Sequence, residues 1–348
     1  MILIKIKMQY KVSRNLLFLF LFSTFHFFYS CSNKDACIPS PDISNINVSL
    51  EIDRLDKKLF KIHTRTELKD LLDENFAFSE IFLARSQYPY DSIFINRFFE
   101  LLHNPSIDTL WAETDSIFGD LQEINLQYED AFKRIKYYYP EFKPPKIQYV
   151  FTGLTHDMYV SDSLIIIGLD YYLGNDASYR PVNIPDYILK RYRQENIVPN
   201  SLLLLSQNYN KVDIRDKTLL GEMVFYGKAF YFSKQMLPCV PDSIFLGYSP
   251  NEMKDISHGQ EIIWANFIEN EVLFDTNHHI KDKFIAERPK TFEIGQNCPG
   301  RIGRWIGWEI AKDYMENNKE ATLPDLMKNS NSRIIFERSG FKPQSQDI

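Results

Sequence analysis

The spacing of hydrophobic positions changes along the chain, and these changes outline the predicted elements. Between residues 48 and 52 apolar and polar side chains alternate, which predicts a short strand. From there to about residue 139 apolar residues recur at helical spacing, until the segment 140–145 interrupts the pattern with three prolines. The β-branched and aromatic runs that follow predict three strands, at 147–151, 158–160 and 163–169.

Helical spacing returns near residue 185 and continues towards the end of the chain. It predicts helices at Pro185 to about Glu195, Ser201–Tyr209, Lys217–Met236, Gln260–Phe274 and Pro299 to about Met315. Pro299 suits the first position of the last helix, where Gly300, Gly303 and Gly307 fall on one face. Since each glycine costs about 1 kcal/mol relative to alanine in a helix, we expect this face to lie against another backbone.

The pattern as a whole predicts an α+β protein, with a mostly helical domain and a small central β-sheet. No composition shift, repeat or linker divides residues 48–343, so a single domain is expected there. Residues 344–348 would form a short tail.

The first thirty residues have the composition of a secretory signal peptide. They contain four basic and no acidic residues, and the run Leu16–Tyr29 is apolar except for three positions. This run is shorter than the roughly 18–20 residues that a membrane-spanning helix needs. Either Met1 or Met8 could be the start.

Cys31 follows the apolar run directly, after the small residue Ser30. This arrangement resembles the lipobox of bacterial lipoproteins, in which the cysteine becomes the new N-terminus and its sulfur takes a lipid. Two or more acyl chains anchor a protein stably, so we expect residues 31–47 to be a lipidated tether. The alternative is an ordinary cleaved signal followed by a chance cysteine.

The net charge of the chain narrows the classes of molecule that it is expected to bind. The net charge is -6, and removal of the basic leader makes the mature part more acidic, which disfavours nucleic-acid binding. The expected partners are a membrane, through the N-terminal lipid, and other proteins.

Of the remaining cysteines, Cys239 and Cys298 could form a disulfide, but free buried thiols are favoured for Cys37, Cys239 and Cys298.

Glu222 is the strongest candidate for catalytic chemistry. It lies on a predicted helix that follows a small sheet, which is the context of the H-E-x-x-H helix in zinc metallopeptidases. Gly221 and Phe225 occupy the two positions where histidines would bind zinc. We therefore expect no metal, no cofactor and no enzymatic activity, and interpret the segment as a core helix that carries one acid.

Three cations also stand out: Lys228, Arg301 and Arg304. The two arginines would lie in the first turn of the last predicted helix, where the helix dipole disfavours positive charge. Their placement predicts specific partners. For all three cations we favour internal acids over a bound anion.

Several stretches resemble the gliding motility lipoprotein GldB family of Bacteroidetes. They occur in the same order over nearly the whole mature chain: Lys136–Pro140, Gly168–Gly174, Met223–Tyr231, Glu261–Trp264, Pro299–Trp308 and Phe341–Pro343. The resemblance implies a non-catalytic, lipid-anchored component or accessory of the gliding motility and type IX secretion machinery. It also implies a place in the cell envelope, on the periplasmic side of the outer membrane.

The family is distantly similar to predicted zincin-like proteases, which implies a degenerate zincin-like scaffold that has lost its metal. Two alternative functions stay open from the sequence. One is a zincin-like hydrolase that acts on envelope substrates. The other is a glycan-binding lipoprotein that stacks sugars on tyrosines such as Tyr137–Tyr139 and Tyr171–Tyr172.

Overall fold

A mixed four-stranded sheet lies at the centre of the protein. The computed structural model describes Cys37 and residues 41–343, so the predicted signal peptide, Cys31 and the tail lie outside the described residues. The strands are β1 (Ile52–Arg54), β2 (Lys146–Val150), β3 (Met158–Val160) and β4 (Leu164–Gly168). Their order is β1-β2-β4-β3, with β1, β2 and β4 parallel to one another and β3 antiparallel at the edge.

Both faces of this sheet are covered by helices. Because successive side chains of a strand point to opposite faces, Ile165 and Ile167 of β4 pack into one hydrophobic cluster and Ile166 packs into another. All three are fully buried. A strand whose two faces are both buried has a continuous run of apolar residues, which explains the sequence Leu-Ile-Ile-Ile in β4.

The N-terminal helices cover the Ile166 face. They are α1 (Leu55–Leu59), α2 (Arg65–Glu74), α3 (Asp91–Leu102) and α4 (Pro105–Phe118), with a π-helical turn at Ala77–Phe82 and a 3₁₀ turn at Arg85–Gln87. The next helix, α5 (Gln122–Tyr138), contributes its buried side chains to the cluster on the opposite face.

The remaining helices build the larger cluster on that opposite face. They are α6 (Asp186–Leu189), α7 (Ile197–Leu205), α8 (Leu219–Met236), α9 (Asp242–Leu246), α10 (Pro250–Glu269), α11 (His278–Ile285), α12 (Ile302–Asn317), α13 (Leu323–Lys328) and α14 (Ser332–Ser339). Short 3₁₀ turns lie at Leu169–Tyr172, Gln194–Asn196, Ser206–Asn208 and Val272–Phe274. The α+β prediction is therefore confirmed.

Several predicted boundaries were wrong. Residues 48–51 are not a strand, because only Ile52–Arg54 pair with β2, although Val48 and Leu50 do pack against the core. The helix predicted from Pro185 to about Glu195 is the short α6 followed by a separate 3₁₀ turn.

Two other helices begin earlier than predicted. α7 starts at Ile197, with Pro199 in its first turn, where a missing N–H costs no helical hydrogen bond. α10 starts at Pro250, where Ser249 and Glu252 form a capping box. The helix predicted to start at Gln260 is thus ten residues longer at its N-terminus.

Helices α8 and α12 touch backbone to backbone. A Cβ atom on Gly307 would lie 1.8 Å from the carbonyl oxygen of Met223, and one on Gly227 would lie 1.9 Å from the carbonyl oxygen of Gly307. The predicted close contact of the glycine-bearing helix is confirmed. The predicted start of this helix at Pro299 is wrong. Helix α12 begins at Ile302, after Arg301, which has a left-handed conformation with φ of 63°.

The cysteines differ from the prediction in part. Cys37 and Cys239 are each disulfide-bonded, whereas Cys298 is free and buried. The free thiol predicted at Cys298 is confirmed, those at Cys37 and Cys239 are wrong, and Cys239 and Cys298 do not pair. Burial raises the pKa of the Cys298 thiol to about 12, so it is inert as a nucleophile at neutral pH.

Residues 41–343 belong to one compact unit. None of the helices in the described part of the chain is long and apolar enough to cross a bilayer.

Candidate functional site

The four predicted side chains form two separate groups. Glu222 and Lys228 lie on α8 and line one pocket of about 290 Å³, which we call the α8 pocket. Its wall is completed by the 211–217 loop and by residues 329–332, which precede and begin α14. Arg301 and Arg304 lie at the start of α12 and meet a different acid.

Glu222 is held by an ion pair. Its Oε1 accepts a 2.5 Å hydrogen bond from Nζ of Lys281 on α11, and the same ammonium donates to the carbonyl of Lys217 at 2.8 Å. Lys281 is buried, while the Glu222 side chain is partly exposed. The carboxylate is therefore engaged by a cation of its own chain.

Asp216 fills the space beside Gly221. A Cβ atom on Gly221 would lie 2.8 Å from Oδ2 of Asp216, so a larger residue at position 221 would displace this carboxylate. Thr218 donates to Oδ1 through both its backbone N–H (3.0 Å) and its hydroxyl (2.6 Å), and Ser332 donates to Oδ2. Burial opposes ionisation of Asp216, but the hydrogen bonds from Ser332 and Thr218 outweigh it and lower the pKa.

A histidine at position 221 would therefore have to displace the Asp216 carboxylate. The second position where a zinc-binding histidine would lie is occupied by Phe225, which contributes an aromatic ring to the pocket wall. Across Cys37 and residues 41–343, no three or more His, Cys, Asp or Glu side chains are grouped so that they could hold a metal ion.

Lys228 joins three segments of backbone. Its ammonium donates to the carbonyls of Lys211 (2.7 Å), Asn329 (2.7 Å) and Met327 (3.2 Å), and its side chain is almost fully buried. Burial lowers the pKa of Lys228 to about 7. Backbone carbonyls, rather than the internal acid that we favoured, thus accept from Lys228. They make it a structural link between α8, the 211–217 loop and the segment that joins α13 to α14.

Three charged side chains of the α8 pocket have partners within the protein. Lys281 pairs with Glu222, carbonyls accept from Lys228, and hydroxyls donate to Asp216. At the rim, Ile214 is 78% exposed, so apolar surface borders the polar pocket.

The second group is centred on Glu287, which follows α11. Arg191 donates to both of its oxygens, at 3.1 and 2.8 Å, and Arg301 and Arg304 approach them at 3.5 and 3.4 Å. An internal acid, the partner that we favoured, therefore lies beside both Arg301 and Arg304. We call these four residues the arginine cluster.

Backbone carbonyls and aromatic rings fix the two arginines of α12. Arg301 donates to the carbonyl of Leu246 at 2.8 Å, and its guanidinium lies 5.4 Å from the ring centroid of Tyr248. Arg304 donates to the carbonyl of Ile285 at 2.8 Å and stacks over Tyr226 at 4.2 Å. Burial lowers the pKa of Arg301 to about 10, which still leaves it charged at neutral pH.

Most of the tyrosines considered for sugar stacking are buried or pack against other aromatic rings of the protein. Tyr172 is buried, Tyr139 packs against Tyr209, and Tyr171 packs edge-on against Tyr192. Tyr137 is half exposed, and its ring meets the edge of its neighbour's ring. These side chains do not form a shared exposed platform.

Sequence reasoning missed the partners of every candidate residue. Asp216, Lys281 and Glu287 carry no motif, and each meets its partner through tertiary packing. Arg191 lies 96 residues from Glu287 in the chain. The sequence offered one signal for these partners. Arg301 and Arg304 were predicted in the first turn of a helix, where the helix dipole disfavours positive charge, and this indicated a nearby acid without identifying it.

The comparisons agree with the resemblance found in the sequence. A family model described as gliding motility protein GldB matches residues 36–343. No curated protein and no solved structure was found to match the chain.

Proposed function

The chain belongs to the GldB family of gliding motility proteins, and from this we propose that it is a lipid-anchored, non-catalytic component of the gliding motility and type IX secretion machinery. In this role the protein acts through contacts with protein partners at the cell envelope. The lipid on Cys31 holds the domain at the periplasmic face of the outer membrane, where such partners are met.

The ion pair between Glu222 and Lys281 is the observation that carries the non-catalytic part of the proposal. A metallopeptidase glutamate must face a metal-bound water, whereas this carboxylate faces an ammonium at 2.5 Å. Asp216 fills the space at Gly221 that a first histidine would need. The arrangement is what we expect of a zincin-like scaffold whose site has been converted to structural contacts.

The disulfide-bonded state of Cys37 and Cys239 supports the proposed location. Structural disulfides persist in oxidising compartments such as the periplasm. Export by the predicted signal peptide and lipidation at Cys31 lead to that compartment.

Deletion of the gene in its host tests the role in the machinery. We expect the mutant to lose secretion of type IX substrates, measured by comparing proteins in the medium and in the periplasm, and a plasmid-borne wild-type copy to restore it. Unchanged secretion in the deletion strain would contradict the proposal.

Substitution of the anchor residue should release the protein from membranes. For Cys31→Ala we expect recovery in the soluble fraction and no incorporation of labelled fatty acid, because the thiol that would carry the lipid is gone. Ser40→Ala, in the same tether, is the matched control and should remain membrane-bound and labelled. Membrane association of Cys31→Ala, together with unlabelled wild type, would show that another feature anchors the chain.

Glu222→Gln tests the absence of catalysis. The amide can still accept a hydrogen bond from Lys281 but cannot act as a general base. We expect it to restore secretion in the deletion strain as well as wild type does, and we expect elemental analysis of the full-length protein to find no stoichiometric zinc. Stoichiometric zinc in wild type, with loss of secretion in a stably accumulating Glu222→Gln variant, would instead indicate a hydrolase.

A further inference from the structure

The arginine cluster carries more positive charge than its acid can neutralise. Three guanidinium groups, from Arg191, Arg301 and Arg304, meet the single carboxylate of Glu287. Burial opposes ionisation of Glu287, but the charges of Arg301, Arg191 and Arg304 outweigh it and lower its pKa. With the carboxylate ionised and all three arginines charged, the group has a net charge of about +2.

Among the described residues, neither Glu252 nor Glu293 supplies the missing negative charge, because each pairs with another cation. Glu252, whose charge also acts on Tyr248 beside Arg301, is paired with Lys190 at 2.7 Å. Glu293 is paired with Arg288 at 3.0 Å. The start of α12, where Arg304 lies, adds the positive end of a helix dipole to the same region.

The cluster lies where solvent can reach it. The Glu287 side chain is 37% exposed, and those of Arg191 and Arg304 are 18% and 16% exposed. Buried Nε of Arg191 has no hydrogen-bond acceptor among the described residues. A buried N–H without an acceptor is costly, so the cluster has donor capacity that its own acid does not use.

The guanidiniums are held in place before any ligand arrives. Arg301 and Arg304 are fixed by the carbonyls of Leu246 and Ile285, and Tyr226 stacks on Arg304. A preorganised group of donors loses little conformational freedom on binding. This distinguishes the cluster from arginines that move freely on a surface.

We propose that the arginine cluster is a binding site for a dianionic phosphate group, that is, a phosphomonoester or inorganic phosphate. Arginine N–H groups match the oxygens of phosphate. Since the terminal nitrogens of Arg191 already hold Glu287, the phosphate is bound by N–H groups of the cluster that Glu287 does not use. A dianion neutralises the excess charge, whereas a carboxylate or a phosphodiester would leave about one positive charge uncompensated. The phosphate could be soluble or carried by a lipid headgroup, and the experiment distinguishes these sources.

Calorimetric titration of the full-length protein in detergent with inorganic phosphate tests the site, using chloride at matched ionic strength as the reference. We expect saturable binding of phosphate to wild type. Arg191→Gln should weaken it by at least about tenfold, because hydrogen bonds to charged groups contribute roughly that much. Arg215→Gln is the control, since Arg215 is exposed and pairs only with Asp213 among the described residues.

Arg191→Lys separates loss of the site from loss of the fold. It keeps the charge and most of the stem but loses the fork that holds Glu287. We therefore expect weakened phosphate binding, while a cooperative unfolding transition without phosphate shows that the fold is retained. No saturable binding to wild type, or equal affinity in wild type, Arg191→Gln and Arg191→Lys, would overturn the proposal.

Reconstitution of the full-length protein into phosphatidylcholine bilayers, with or without phosphatidic acid, identifies the source. Phosphatidic acid presents a phosphomonoester headgroup. If it raises the melting temperature of wild type but not of Arg191→Gln, the ligand is a lipid. If only soluble phosphate does so, the ligand is soluble, and if neither does, the site is refuted.

Discussion

Gly307→Ala is expected to lower the free energy of unfolding by at least about 3 kcal/mol, at the upper end of the usual cost of overpacking. The added Cβ would lie 1.8 Å from the carbonyl oxygen of Met223, which is backbone and cannot rotate away. Helices α8 and α12 would have to separate by more than an ångström. The alanine would gain only about 1 kcal/mol in helix propensity, which is too little to offset this.

Gly259→Ala is the matched control for this prediction. Gly259 also lies inside a helix, α10, but the nearest atom to an added Cβ is Cδ1 of Ile263 at an ordinary 3.9 Å. Since no clash opposes it, the higher helix propensity of alanine should stabilise the protein by about 0.5–1 kcal/mol. Urea denaturation of both variants measures the difference. If both alanines stabilise the protein, the backbone contact between α8 and α12 is wrong.

The contrast between these glycines shows what local sequence can predict about packing. Three glycines on one face of a predicted helix correctly predicted a close backbone contact. Such a contact is needed to offset the helix stability that glycine loses relative to alanine. The identity of the partner was not predictable, since Gly227 lies 80 residues earlier on a helix whose pattern gives no matching signal. Gly300 was assigned to the helix wrongly, because the left-handed conformation of Arg301 starts α12 later.

The three strands after residue 146 were predicted more accurately than the helix ends, for a physical reason, whereas the first strand was placed too early. The runs at 147–151, 158–160 and 163–169 each agree with the observed strand within one residue at either end. Buried strands have a composition that marks them directly. Helix ends depend on caps, and the start of α10 at Pro250 became clear only with the capping box of Ser249 and Glu252.

The arrangement of the candidate residues was not predictable from the sequence. Glu222, Lys228, Arg301 and Arg304 are all engaged in specific contacts, yet they divide between the α8 pocket and the arginine cluster. Helix α11 approaches both, since Lys281 pairs with Glu222 and Ile285 accepts from Arg304. Long-range pairing of this kind depends on tertiary packing, which periodicity does not encode.

Lys228→Met is expected to lower the free energy of unfolding by about 2–4 kcal/mol. The thioether fills most of the volume but donates no hydrogen bond, so the carbonyls of Lys211 and Asn329 lose the only partner that the structure shows for them. Met327 is affected less, because its carbonyl also accepts from the backbone N–H of Lys211. Lys254→Met, at an exposed position on α10, is the control and should change stability by less than about 0.5 kcal/mol.

The pH dependence of these variants separates the charge of Lys228 from its packing. Burial lowers the pKa of Lys228 to about 7, from 10.5 in the unfolded chain, so between these values the unfolded state binds more protons. The contribution of Lys228 to stability must then rise as pH increases from 7 towards 10.5, and fall as pH decreases through the same range. Urea denaturation at about pH 7 and about pH 9 should therefore show a wider gap between wild type and Lys228→Met at the higher pH. A gap that stays constant would mean that the ammonium is stabilised by its three carbonyls as fully as by water, and the buried lysine would then act as a permanently charged link.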